Sequence, residues 1–182
     1  MKDNINPNSL FSNITDKKFP PIEQWDPPFC GEIDICIHRD GHWSYHNSAF
    51  TRLTLVKLFA SVLKREENNY YLISPVEKVQ IKVEAEAFIT VALEQKKENP
   101  STIAFKTNLD EIVIADAKHP IKVITDSSGQ PYPTILIRDN LYALISRSDF
   151  YQLVDIALSE EINGKTVCSV ESNGCKFILG EY

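Results

Sequence analysis

Apolar residues recur along this chain with two periods. Residues 32–38 alternate strictly, with Ile33, Ile35 and Ile37 on one face and Asp34, Cys36 and His38 on the other, the pattern of a half-buried strand. A return strand carries Trp43 and Tyr45. A two-residue Asp40-Gly41 turn would set His38 opposite Trp43 and mix the faces. A three-residue Arg39-Asp40-Gly41 loop pairs Ile37 with Trp43 and Ile35 with Tyr45, and this register is expected, with Gly41 left-handed in a bulge. The period then lengthens. Leu55, Leu58, Phe59 and Val62 form a helical stripe, predicting a helix from an Asn47 or Ser48 cap to about Lys64. Asn68-Asn69 turns the chain into a short strand over 70–74.

Beyond Pro75 strands are expected at roughly 77–84, 88–94, 102–107, 111–115, 121–125, 133–138 and 141–146, and their short turns imply mainly antiparallel neighbours. An Asp139-Asn140 hairpin would pair Ile137 with Tyr142 and Ile135 with Leu144. An Asn173-Gly174 hairpin would pair Glu171 with Lys176 and Val170 with Phe177. Between them Phe150, Leu153, Val154, Ala157 and Leu158 predict a second long helix over about 149–162, capped by Ser148, with Asp149 complementing its dipole. At the other end, Leu10, Phe11 and Ile14 follow Asn8 and Ser9 at helical spacing and predict a short helix. Four prolines between Pro20 and Pro28 then impose extended chain that pins Trp25 and Phe29 on a domain surface. The fold class expected is α+β: two small domains, mainly antiparallel sheets with two long amphipathic helices. The break is placed at Ser74-Pro75, giving domains 1–74 and 75–182, the C-terminal one strand-rich. No internal repeat or low-complexity tract is present.

Two charges interrupt this pattern. Arg52 projects beside Phe59 on the apolar stripe, and Glu77 shares its side of the pleat with Val79, Ile81 and Val83. Charges rarely enter a core unpaired, so Arg52 and Glu77 are expected within salt-bridge distance.

Composition narrows the function. With 19 basic and 25 acidic residues the net charge of −6 offers no footprint for phosphate backbones or anionic lipid, so neither nucleic acid nor membrane is an expected partner. No apolar run approaches the roughly 20 residues of a membrane span, and residues 1–9 are too polar for a signal peptide, so a cytoplasmic location is expected. Cys30, Cys36, Cys168 and Cys175 show no Cys-x-x-Cys knuckle and read as small apolar fillers. The preferred hairpin puts Asp34, His38, His42 and His46 on one face, but Asp34 and His38 lie about 13 Å apart along the strand, too far to share an ion. Only His38 with His42, or Asp34 with His46, could act together, and no metal site is expected. No nucleophile elbow, cysteine with a histidine suitably spaced for nucleophilic catalysis or glycine-rich phosphate loop is found, so no catalytic residue and no cofactor are assigned. Arg147, at the start of the second helix, and Tyr151, one turn later, could hold a carboxylate or phosphate.

Several of these positions carry a family resemblance. Residues 31–35 with 39–43, Arg52, 55–63 and 74–79 resemble the bacterial family known as domain of unknown function 1285. Phe105 with Asn108 and Asp110, 141–145 with Arg147, and 151–154 continue the match in order, from about Phe19 to Phe177. The resemblance implies a two-domain α+β protein with a cleft between the domains and a ligand-binding or signalling role, with no established reaction.

The leading expectation is a non-enzymatic regulatory or signalling module that binds a small anionic or polar ligand at the domain interface, through Arg52, Glu77, Lys78, Arg147 and Tyr151. The site would lie where each of three element ends puts a polar group at the rim of an apolar face. Two alternatives are a hydrolase or transferase with Glu77 as base and Arg52 or Arg147 as anion clamp, and an adaptor whose partner is another protein.

Overall fold

A computed structural model describes residues 19–181, and these divide into two units, 19–87 and 88–181. The helix expected around Leu10, Phe11 and Ile14 lies outside the described residues.

In the first unit a turn of 3-10 helix, Ile22–Gln24, interrupts the proline-rich stretch, where Trp25 is half-buried and Phe29 exposed. Strand β1 (Phe29–Ile37) then meets β2 (Trp43–Tyr45) as expected: Ile37 faces Trp43, Ile35 faces Tyr45, and Gly41 has φ 87°. The helix expected next starts late. His46 and Asn47, both at positive φ (46° and 60°), form a tight turn that sends Ser48–Ala49 back along β2 as β3, so neither Asn47 nor Ser48 is a cap. Helix α1 spans only Leu53–Ser61 and buries Val56 and Ala60, while Leu58 is exposed. Leu63, fully buried, already opens β4 (Leu63–Glu66), which pairs with β5 (Asn69–Ile73). Strand β6 (Lys78–Val83) inserts between β5, antiparallel, and β1, parallel, giving the order β3-β2-β1-β6-β5-β4. Because β6 completes the N-terminal sheet, the division between units follows Ala87 rather than Ser74-Pro75.

Tyr70 of β5 is buried, donates to Glu86 Oε2 at 3.4 Å and lies under the Arg65 guanidinium, 5.2 Å from its ring centroid. Burial, reinforced by the Glu86 carboxylate, pushes its phenol up to about 12. The folded chain therefore keeps this proton where the unfolded chain, titrating near 10, has lost it. The contribution is present below pH ~10 and lost as pH rises through about 12. Absorbance titration of the tyrosines at 295 nm should show one late component that Tyr70→Phe removes; an unchanged curve would contradict it.

The second unit contains β7 (Phe88–Lys96), β8 (Thr102–Thr107), β9 (Ile112–Ile114), β10 (Ile121–Thr125), β11 (Pro131–Arg138) and β12 (Leu141–Leu144), in the order β10-β11-β12-β7-β8-β9 with β12 and β7 parallel. A separate sheet holds β13 (Leu158–Ile162), β14 (Lys165–Ser172) and β15 (Cys175–Glu181). The β14–β15 register is the expected one, Glu171 facing Lys176 and Val170 facing Phe177. The β11–β12 register is not. A bulge beside Ile137 pairs Arg138 with Leu141 and Leu136 with Tyr142, so Ile135 meets Ala143 rather than Leu144.

The second helix, α2, covers Arg147–Ile156 and is capped by Ser146, whose Oγ accepts from the Asp149 amide, rather than by Ser148. Its expected last turn is taken by β13, in which Leu158 pairs with Ser169 of β14. Hence the α+β expectation with two long helices is corrected. Among the described residues the chain is mostly β, with fifteen strands in three sheets against α-helices of nine and ten residues. In both regions strand ladders claim residues whose spacing alone suited a helix. No helix among the described residues is long and apolar enough to cross a membrane.

Candidate functional site

Arg52 is the N-cap of α1: its carbonyl accepts from the Leu55 and Val56 amides, while its side chain is exposed and bonds to nothing among the described residues. Glu77 belongs to a turn. Ser74 donates its amide to the Glu77 carbonyl, and its Oγ accepts from the Val76 and Glu77 amides. This holds Glu77 outside the β6 pleat and exposed, with no ion pair to Arg52. The expected pairing is therefore absent, because neither residue occupies the apolar face that its sequence spacing suggested. Lys78, by contrast, is engaged: it pairs with Glu66, whose carboxyl it holds below its usual range, and stands 4.4 Å from the Tyr71 ring centroid.

In the second unit Arg147 is the first residue of α2, exposed and without a side-chain partner among the described residues, and Tyr151 is exposed one turn later. The Ser146 amide donates to Thr90 Oγ1 at 2.9 Å, which anchors the helix start on β7. Asp149 is buried behind it, with Oδ2 meeting no hydrogen-bond donor. Arg52, Glu77 and Lys78 thus belong to the first unit, Arg147 and Tyr151 to the second.

Among the described residues, one group of metal-ligating side chains lies elsewhere. Cys36 lies on the polar face of β1, His38 immediately follows the strand's end, and Glu84 follows the end of β6, which runs parallel to β1 with Cys36 facing Lys82. Glu84 donates its amide to the Ile37 carbonyl, while its carboxylate Oε2 accepts from the Arg39 amide at 2.9 Å. Its Oε1 is left facing His38 Nδ1 at 3.0 Å and the Cys36 thiol at 4.0 Å. His38 Nε2 meets Ser44 Oγ at 2.8 Å across the hairpin. One donor atom each from Cys36, His38 and Glu84 lies within 4.8 Å of the others, a spacing compatible with a metal ion.

The Arg39 amide is the main reason the Glu84 carboxyl titrates below its usual range, with His38 adding to it. Burial and then the Glu84 charge push the Cys36 thiol up, opposed by Lys82. A raised thiol is a poor nucleophile, so this arrangement does not make Cys36 a catalytic thiolate. The remaining histidines of this face behave differently. His42 stacks on His38 with centroids 4.0 Å apart and bonds Asp40, and His46 bonds Asp34 at 3.0 Å. Sequence reasoning treated Cys36 as a filler. The two-residue spacing of Cys36 and His38 was visible, but Glu84 joins them only through the parallel pairing of β1 with β6.

Comparisons with known proteins agree with this division. Residues 20–86 match the N-terminal domain of the domain of unknown function DUF1285, and residues 87–179 match the C-terminal domain of the protein of unknown function DUF1285. No curated protein matches the chain. A DUF1285 family protein from Silicibacter pomeroyi DSS-3 is 36% identical, with a TM-score of 0.80 and 94% of each chain covered. Another from Shewanella baltica OS155 is 27% identical, with a TM-score of 0.53 over 66% of this chain and 90% of that one. With both family domains matched in order along nearly all the described residues, the chain belongs to the DUF1285 family.

Proposed function

We propose that this protein is a cytoplasmic, non-enzymatic module that binds a small anionic or polar ligand in a regulatory or signalling role. The observation supporting this reading is where its unpaired arginines stand. Both α-helices among the described residues begin at an exposed arginine, Arg52 and Arg147, with no side-chain partner there. Arg65 and Arg138, in contrast, contact carboxylates. A cation at the positive end of a helix is unfavourable by about 0.3–1 kcal/mol, and a bound anion would reverse the sign by meeting both the guanidinium and the first-turn amides. Tyr151, exposed one turn into α2, adds a ring surface and a hydroxyl to the Arg147 group.

Thermal-shift measurements with inorganic phosphate, nucleotides and dicarboxylates test this. At least one should stabilise the protein, by about 2.7 kcal/mol at a hundredfold excess over its dissociation constant. Arg147→Ala should abolish that response while leaving the melting temperature without ligand within a few degrees, since an exposed recognition arginine contributes little to the fold. Absence of any anion response, or a response unchanged in Arg147→Ala, would count against the reading.

A further inference from the structure

We propose that Cys36, His38 and Glu84 form a binding site for a divalent transition metal of the zinc class. The donor set is one soft thiolate, one imidazole and one carboxylate, the combination that zinc accepts and that magnesium and calcium do not favour. Metal–ligand bonds of about 2.3 Å to sulfur and 2.0–2.2 Å to nitrogen and oxygen place tetrahedral donor atoms about 3.3–3.5 Å apart. The observed separations to Glu84 Oε1, 3.0 Å from His38 Nδ1 and 4.0 Å from Cys36 Sγ, bracket those values. Side-chain rotation alone could close the remainder.

Two of the three ligands are also held from behind. Ser44 Oγ, 2.8 Å from Nε2, can accept the imidazole proton there, which turns the Nδ1 lone pair toward Glu84 and Cys36. The Arg39 amide fixes Oε2 of Glu84 and leaves Oε1 for the ion. Such outer partners orient metal ligands and raise their basicity. On binding, the Cys36 thiol proton leaves to solvent, the imidazole proton stays on Nε2, and the charges of thiolate, carboxylate and dication sum to zero. The dication thereby overcomes the burial and Glu84 repulsion that keep the thiol protonated without it. Lys82, which faces Cys36, and the nearby Asp34 remain outside the donor set. His42 is stacked on His38, with ring planes 9° from parallel and centroids 4.0 Å apart, so its in-plane nitrogens do not point to the ion. The fourth position is open to water.

Titration of the reduced protein with Co²⁺ tests the proposal directly. One equivalent should produce a thiolate-to-cobalt charge-transfer band in the near ultraviolet, and Zn²⁺ should displace it. Cys36→Ser should abolish the band, whereas replacing Cys30, Cys168 and Cys175 together by serine should retain it. Glu84→Gln, a change at an exposed side chain, should weaken binding at least tenfold, and Ser44→Ala roughly 10- to 100-fold. Circular dichroism of each variant confirms that it is folded. A protein that shows no such band, or one whose band survives Cys36→Ser, overturns the site.

Discussion

Trp43→Ala should destabilise the first unit by about 3–5 kcal/mol, the cost of removing a large buried aromatic side chain. Trp43 is 2% exposed, faces Ile37 across the hairpin and stacks on Phe59 of α1 at 6.4 Å, so it joins hairpin and helix in one core. Its indole N–H, however, is buried without a partner. An unsatisfied buried donor costs about 1–3 kcal/mol, and phenylalanine carries none. Trp43→Phe should therefore cost less than about 2 kcal/mol despite the lost ring volume. Calorimetric unfolding of the three proteins distinguishes these terms, and a loss in Trp43→Phe well above about 2 kcal/mol would show that the orphaned N–H has little energetic weight.

A comparable loss is expected in the second unit from Glu111→Ala. Glu111 and Arg138 form an ion pair at 3.2 Å with side chains only 11% and 12% exposed, and the guanidinium lies 5.4 Å from the Phe88 ring centroid. Removing the carboxylate takes the Glu111 countercharge from a largely desolvated cation, and loss of one member of a buried pair costs about 3–5 kcal/mol. The double variant Glu111→Leu/Arg138→Met removes both charges and should recover most of that loss, since apolar replacement of a buried pair is often neutral or stabilising. If the double variant is no more stable than Glu111→Ala, charge burial is not what makes the pair matter, and packing of the arginine stem is.

The two hairpins whose registers were read correctly have local causes. At 37–43 and 170–177, matching of apolar faces and a glycine at positive φ, Gly41 at 87° and Gly174 at 77°, allow one arrangement and exclude its neighbour. The Asp139-Asn140 hairpin also offered matching apolar faces, with Asp139 rather than a glycine at positive φ, yet a bulge shifted its register by one. A bulge depends on what the flanking strands pair with, and β12 also pairs with β7.

Helix length was misread for a related reason. Leu63 and Leu158 continue helical stripes by spacing, but each sits in a strand whose backbone donors and acceptors are satisfied by a distant segment, β5 and β14 respectively. A 3.6-residue period records which residues could share a face. It does not record whether a neighbouring strand offers a ladder.

The candidate site divides along the same line. Composition, the alternating strands, the three-residue Arg39-Asp40-Gly41 loop and the presence of arginines at helix starts follow from sequence, because each depends on residues a few positions apart. The Arg52–Glu77 pairing failed because the turn at Ser74 holds Glu77 outside the pleat. The Cys36–His38–Glu84 group arises only when β6 pairs in parallel with β1, bringing a glutamate to a histidine 46 positions earlier. Parallel pairing leaves no turn between the partners to announce it, so that contact was decided by tertiary structure alone.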